Sequence, residues 1–281
     1  MALTDCPVEF CTSQPELLHL CMHQSWPVGQ PIVALGPNGP CYCYCTTCLA
    51  LGTLVEDGDG MFRAVEDFVE GDEVMAAGLS LQWEPRTVTF SGGLPPARQR
   101  SVIVVAYESS VLVVTNDHLF TLHGEQYELR RADRLTPSDR LVSPDGDPVE
   151  VNGIYTGDYF GSFHHLTAGP EAVGDDNLQG HLINTGNVIS ADYITQLRAR
   201  SPAGTPGFVA DREHELPVVG SREYIRQFGR AAIEAPQLPV GFVATMPLRV
   251  APFDVPDREL TVNTFIPAGA SMLTVPDAAR P

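Results

Sequence analysis

Between Leu49 and about Gln196 the chain alternates short β-branched, apolar runs with polar turn clusters. That is the pattern of half-buried strands and their connections. The runs are Thr53–Val55, Arg86–Phe90, Val102–Tyr107, Val111–Thr115, Arg140–Ser143 and Val149–Tyr155, and the clusters include EDGDG, SGG and SPDGD. SPDGD, set between two apolar runs, predicts a hairpin. No long amphipathic helix interrupts this stretch, so the pattern predicts a mainly β domain. The flanks read differently. Leu17, Leu18, Cys21 and Met22 fall at helical spacing and predict a short helix over Gln14–Gln24. PVGQPIVALGPNGP then reads as an irregular linker. Beyond Leu197, SPAGTPG is a second linker. Ser221 is placed to cap a helix over Arg222–Ile233, with Tyr224, Ile225, Phe228 and Ile233 on one side. From Pro236 the chain is proline-rich with short extended pieces. The chain thus divides into 1–47, 48–196 and 197–281.

Within the β region a motif recurs. Val65-Glu66-Asp67-Phe68, followed by Gly71-Asp72-Glu73-Val74-Met75, matches Ala132-Asp133-Arg134-Leu135, followed by Ser138-Asp139-Arg140-Leu141-Val142. Asp72 and Asp139 occupy the turn in each copy. Two unrelated turn–strand units can give such a match, and so can a duplicated β subdomain with pseudo-twofold symmetry.

Charge narrows the function classes. Seventeen basic residues, all arginine, stand against thirty-five acidic ones, for a formal charge of −18 and a pI near 4.6. Such a surface repels phosphate backbones and anionic lipid, so neither nucleic acid nor a membrane face is expected as a partner. Without lysine, Schiff-base chemistry and a phosphate-loop lysine are excluded. The apolar stretch Val102–Val114 is interrupted by Tyr107, Glu108, Ser109 and Ser110, well short of the roughly 20 residues a bilayer needs. MALTDCPVEF has neither a basic start nor a long apolar run, so it does not read as a secretory signal. A cytoplasmic address with reduced thiols is the expectation.

All seven cysteines lie within the first 48 residues. The last of them opens the first of three local features, Cys48-Leu49-Ala50-Leu51-Gly52-Thr53-Leu54-Val55, a cysteine just before a Gly-Thr turn into a strand. The second is Thr115-Asn116-Asp117-His118, directly after an apolar strand. The third is Gly180-His181-Leu182-Ile183-Asn184-Thr185-Gly186-Asn187-Val188. Singly they are ordinary: a lone cysteine behaves as a small buried hydrophobe, and a Thr-x-x-His at a strand end is a common turn.

In this order, bracketing the repeat, they resemble the Hint (Hedgehog/intein) superfamily over about Cys48–Gln196. Cys48 with GTLV is similar to its first block, TNDH to its Thr-x-x-His block, and GHLINTGNVISADY to its last strands. Phe163-His164-His165-Leu166 and the final stretch look closest to the von Willebrand-associated Vint branch. The resemblance implies a mainly β, twisted horseshoe built of two pseudo-symmetric halves. It also implies self-processing through an N–S acyl shift. Cys48 would be the nucleophile and Thr47–Cys48 the scissile bond. His118 would protonate the leaving nitrogen, Thr115 would orient or polarise the peptide, and His181 would lend catalytic support. The residue types suit that chemistry: a thiol next to a carbonyl attacks intramolecularly, and a departing amine needs a proton from a group such as histidine. Residues 1–47 would be the released part, and no cofactor is implied.

Departures from the family limit the expectation. Asn184 and Asn187 lie inside a strand-like stretch, and Ile194-Thr195-Gln196 follows without the ending that splicing requires. Ser91-Gly92-Gly93 stands where Hedgehog proteins carry an acidic residue for sterol transfer. The expected outcome is cleavage without splicing, the thioester being resolved by water or by a small thiol or amine acceptor. Residues 197–281 would remain attached as an extension available to a protein partner. Three alternatives stay open, one of them redox control by a disulfide from Cys45 or Cys43 that masks Cys48. Cys41, Cys43 and Cys45, with Cys48, have the density of a Zn²⁺ or Cu(I) site, and a catalytically silent Hint-like scaffold would serve as an interaction module. His164 and His165 are expected to hydrogen-bond within the β core and Asp192 to be structural. Apolar neighbours should lower the His118 pKa, and cleavage is expected to quicken as pH falls from about 8 toward 6.

Overall fold

The computed structural model describes residues 32–36, 39–43, 49–108, 110–169, 178–199, 215–229 and 239–244. The helix predicted over Gln14–Gln24 lies outside them. Along the chain run β1 (Ile32–Gly36), β2 (Gly39–Cys43), β3 (Leu49–Ala50), β4 (Leu54–Glu56), β5 (Phe62–Ala64), β6 (Glu73–Ala77), β7 (Glu84–Tyr107) and β8 (Ser110–Val114). There follow β9 (Leu119–Leu122), β10 (Glu128–Arg131), β11 (Arg140–Val142), β12 (Pro148–Ala168), β13 (Leu182–Thr185), β14 (Val188–Ala191) and β15 (Phe242–Ala244). Two described helices, α1 (Tyr193–Ala199) and α2 (Arg222–Phe228), complete the set. β1 and β2 form a small antiparallel sheet, and the other thirteen strands form one large sheet.

The repeat is structural. In both copies a strand leads into a 3₁₀ turn and on into a second strand: β5, Val65–Asp67, β6 in one, and β10, Ala132–Arg134, β11 in the other. Asp72 accepts a hydrogen bond from the Val69 N–H at 3.2 Å and pairs with Arg63 at 3.1 Å. Asp139 does the same at the matching positions, with the Thr136 N–H at 2.7 Å and Arg130 at 2.6 Å. Val65, Phe68 and Val74 of one copy and Ala132, Leu135 and Leu141 of the other meet in a single buried cluster. The two copies of the repeat therefore share one core, in a molecule built mainly of strands.

β7 and β12 join the halves by pairing with each other, from Val151 opposite Tyr107 to Ala168 opposite Val88, with four register irregularities along the way. Such irregularities bend long strands. The SGG cluster, expected as a turn, lies inside β7. A Cβ on Gly93 would collide with the Phe163 carbonyl oxygen and the His164 ring, so glycine there serves close approach of β12 rather than chain reversal. SPDGD does form the predicted hairpin: the Ser143 N–H bonds to the Asp147 carbonyl at 2.9 Å, and Gly146 takes φ +88°.

Three further expectations change. PVGQPIVALGPNGP is not wholly irregular, because Ile32–Gly36 within it pairs with β2, opposing Ile32 to Cys43 and Ala34 to Cys41. Asn187 is not in a strand. With Gly186 it forms the two-residue turn between β13 and β14, at φ +68° and +59°, a conformation that both residue types tolerate. The predicted α2 is shorter than its apolar pattern. Ser221 caps it, its Oγ accepting from the Tyr224 N–H at 3.1 Å, and the helix ends at Phe228 with Gly229 as C-cap.

Parts of the C-terminal segment pack on the β domain. β15 pairs with β12, the Val219 N–H donates to the Asp133 carbonyl at 2.9 Å, and the Tyr224 hydroxyl donates to the Leu135 carbonyl at 3.0 Å. No described helix is long and apolar enough to cross a membrane.

Candidate active site

The site is built around β3. Leu49 pairs with Val114 of β8 on one side and with His164 of β12 on the other, and it is fully buried. The chain then turns sharply. Gly52 adopts φ +80°, its N–H donates to the Glu66 carboxylate at 2.8 and 3.0 Å, and the Thr53 hydroxyl donates to the Ala50 carbonyl at 2.7 Å. The predicted Gly-Thr turn is thus present. Cys48, covalently next to Leu49, lies outside the described residues, as does Cys45.

Val114, opposite Leu49, is followed at once by the Thr115–His118 turn. The turn closes through the His118 N–H and the Thr115 carbonyl at 3.2 Å. The Thr115 hydroxyl donates to Asp117 Oδ1 at 2.7 Å. Two backbone bonds tie the turn to the second repeat: Asp133 N–H to the Asn116 carbonyl at 2.8 Å, and Ala132 N–H to the His118 carbonyl at 2.7 Å. His118 is completely buried, edge-on to Phe120 at 4.9 Å. Burial pushes its pKa down to about 3, because a charge there would lose its hydration. Its Nδ1 meets the Gln196 side-chain nitrogen at 3.2 Å, while Nε2 has no hydrogen-bond partner among the described residues.

Two residues given no catalytic role from sequence stand beside it, one of them His165, which hydrogen-bonds within the β core as expected. The His165 ring lies 5.6 Å from that of His118 and 5.8 Å from Tyr193, which stacks on Phe90 at 4.8 Å. Burial, with His118 and His164 nearby, holds the His165 pKa well below its ordinary value. Its Nδ1 accepts from the Leu166 N–H at 2.9 Å, and its Nε2 lies 2.6 Å from the Gln196 nitrogen. That nitrogen also donates to the Ala191 carbonyl at 2.6 Å. Gln196 reaches this position because Asp192 starts α1, its Oδ1 accepting from the Thr195 N–H at 3.0 Å. One helical turn later Gln196 lies on the same side. Asp192 as a cap was a readable helix start, but nothing in the pattern said what Gln196 faces.

His181 belongs to a neighbouring pair. Its Nδ1 is 3.0 Å from Asp192 Oδ2, which also accepts from the Ala168 N–H at 3.1 Å. Among the described residues no hydrogen bond or ring contact joins His181 to His118. His164 Nε2 meets the Ser91 hydroxyl at 2.8 Å, and burial lowers its pKa against the opposing field of Glu66.

Cys41 and Cys43 are both disulfide-bonded. Neither offers a thiolate to a metal, and the expectation of reduced thiols fails for these two. They sit on β2 with buried side chains, close enough to other sulfur for covalent pairing. Among the described residues no group of three or more histidine, cysteine or acidic side chains is arranged to hold a metal ion.

No protein-family model matches the chain. No curated protein matches it either. Among solved structures it is similar to the bacterial intein-like domain from Clostridium thermocellum, at 18% identity and a TM-score of 0.42, over 52% of this chain and 99% of that one. It is also similar to a DnaB intein from Synechocystis sp. PCC 6803, at 14% identity and 0.41, over 52% and 99%. A third is the gp41-1 intein, at 15% and 0.39, over 52% and 99%.

Proposed function

We propose that the chain processes itself at the Thr47–Cys48 bond. The Cys48 sulfur attacks the Thr47 carbonyl carbon, the C–N bond breaks, and a thioester forms. The proton lost by sulfur is balanced by the proton gained by the departing amine. Water, a thiol or an amine then attacks the thioester and returns the Cys48 thiol. His118 supplies the proton to the amine, Thr115 polarises the peptide, and His181 is the next candidate for the acid. On this reading cleavage occurs without splicing, which Asn187 as a turn residue and the run from Asp192 into α1 support.

One observation carries this reading: the register opposes Leu49, covalently attached to Cys48, to Val114, the residue before Thr115, while His118 keeps Nε2 unpaired in a dry setting. That combination suits a proton donor awaiting a substrate that is part of its own chain.

The test is incubation of the purified chain with a small thiol, followed by mass spectrometry. A new species beginning at Cys48 is expected. Cys48→Ala abolishes it, Cys45→Ala does not, and His118→Ala slows it by about 100-fold or more. The pH profile is informative. With His118 at about 3 and a free thiol near 8.5, the neutral imidazole and the protonated thiol both remain the prevailing forms between those values. The rate should therefore be flat from about pH 5 to 8, instead of rising toward pH 6 as the sequence alone suggested. Wild-type cleavage by His118→Ala removes His118 from the mechanism. A wild-type chain inert to thiol and hydroxylamine for days leaves a silent Hint-like interaction scaffold.

A further inference from the structure

We propose that Gln196 is a positioning residue for His118, fixing the imidazole proton on Nε2 by donating a hydrogen bond to Nδ1; its functional meaning rests on the reading of His118 as the proton donor. The argument is an accounting of hydrogens. The Ala191 oxygen can only accept, so the carboxamide atom 2.6 Å from it is nitrogen and gives it one hydrogen. The second hydrogen has two claimants, His118 Nδ1 at 3.2 Å and His165 Nε2 at 2.6 Å. His165 already accepts the Leu166 N–H on Nδ1, so its own proton sits on Nε2 and it cannot accept there. The hydrogen falls to His118 Nδ1. A neutral imidazole accepting on Nδ1 carries its proton on Nε2, the atom with no partner among the described residues.

The opposite orientation of the carboxamide is worse. It would set two oxygens 2.6 Å apart at Ala191 and leave the NH₂ group where Oε1 now stands buried without a partner. The chosen orientation leaves Oε1 unmatched and sets His165 Nε2–H against the Gln196 nitrogen at 2.6 Å, a donor facing a donor. The opposite one would pair that donor but strand both carboxamide hydrogens and press two oxygens together at Ala191. Buried donors and acceptors each cost free energy when unpaired, so the arrangement with fewer losses prevails. The whole group is sealed: Gln196 is 1% exposed and His165 likewise. Water cannot substitute for the carboxamide freely, so Gln196 decides which nitrogen of His118 presents a hydrogen.

The experiment reads tautomers directly by nuclear magnetic resonance at pH 7. It uses the full-length chain carrying Cys48→Ala, with isotope-labelled histidine ring nitrogens. The expected spectrum shows His118 with a protonated Nε2 and a bare Nδ1. Gln196→Met, similar in bulk and without hydrogen-bonding atoms, removes that preference. The His164 ring, bonded to Ser91, is the fold control and keeps its signals. A wild-type-background His118 protonated on Nδ1 overturns the proposal, as does an unchanged tautomer in Gln196→Met. Should that variant fail to fold, the unsubstituted Gln196 chain still decides the question. With Cys48 restored, Gln196→Met slows thiol-induced cleavage about tenfold. A chain that never cleaves but shows the expected tautomers keeps this inference and discards the proposed function.

Discussion

A histidine with no exposed surface is a liability in acid. His118 has a folded-state pKa of about 3 through burial, against about 6.5 in an unfolded chain. Above pH 6.5 both states are neutral there and the difference contributes nothing. Below it the unfolded chain binds a proton that the folded chain refuses, so stability falls with pH, by about 1.4 kcal/mol per unit, until about pH 3. His165 shifts in the same direction for the same reason. Urea titrations at pH 7, 6 and 5 should show this loss, with His118→Leu reducing the slope near pH 5 by about 1.4 kcal/mol per unit. An unaltered slope in that variant would mean that the ring is hydrated in solution. Sequence made the burial of His118 readable through Val113, Val114, Leu119 and Phe120. It left Gln196 unread, since the glutamine meets the imidazole 78 residues away.

The repeated strand–turn–strand unit carries an aspartate that ties its own turn and an arginine of the preceding strand. The two copies are not energetically equal. In the second, Arg130 and Asp139 are 14% and 13% exposed; in the first, Arg63 and Asp72 are 36% and 29% exposed. Screening weakens the exposed pair. Asp139→Ala should cost about 1.5–3 kcal/mol, by loss of charge-assisted bonds to the Thr136 N–H and Arg130. Asp72→Ala should cost distinctly less, and paired urea midpoints would reveal the ranking. Equal losses would show that burial does not set the difference. The repeat itself was legible because a turn aspartate and flanking apolar residues leave a short, spaced signature. The continuity of β7 through SGG was not, because glycine reads as a turn unless the approaching strand is known.

At the scale of the molecule, the boundary after Gln196 drawn from composition cuts through packed structure. Val219, Tyr224 and Phe242 are each at most 5% exposed against the β domain, and β15 extends the ladder of β12. A chain ending at Gln196 would uncover these contacts. Each large apolar side chain contributes about 1.5–3 kcal/mol, against a typical total of about 5–15. Its urea midpoint should fall sharply below that of the full chain, with weakened near-ultraviolet circular dichroism. An unchanged midpoint would make the C-terminal pieces an ornament on a self-sufficient domain.

Local pattern alone determined the β class, the SPDGD hairpin, the Ser221 cap, the Gly-Thr turn and the duplicated unit, because each depends on residues within a few positions of one another. Tertiary structure alone decided the rest. Pairing of β7 with β12, the register that opposes Leu49 to Val114, and the meeting of His118, His165 and Gln196 join residues tens of positions apart. The buried pairing of His181 with Asp192 spans less of the chain, yet it too forms only because β13 and β14 pair and bring the two ends of their hairpin together. Proton placement among such groups depends on which donors and acceptors the fold seals together, and no spacing along a chain encodes that.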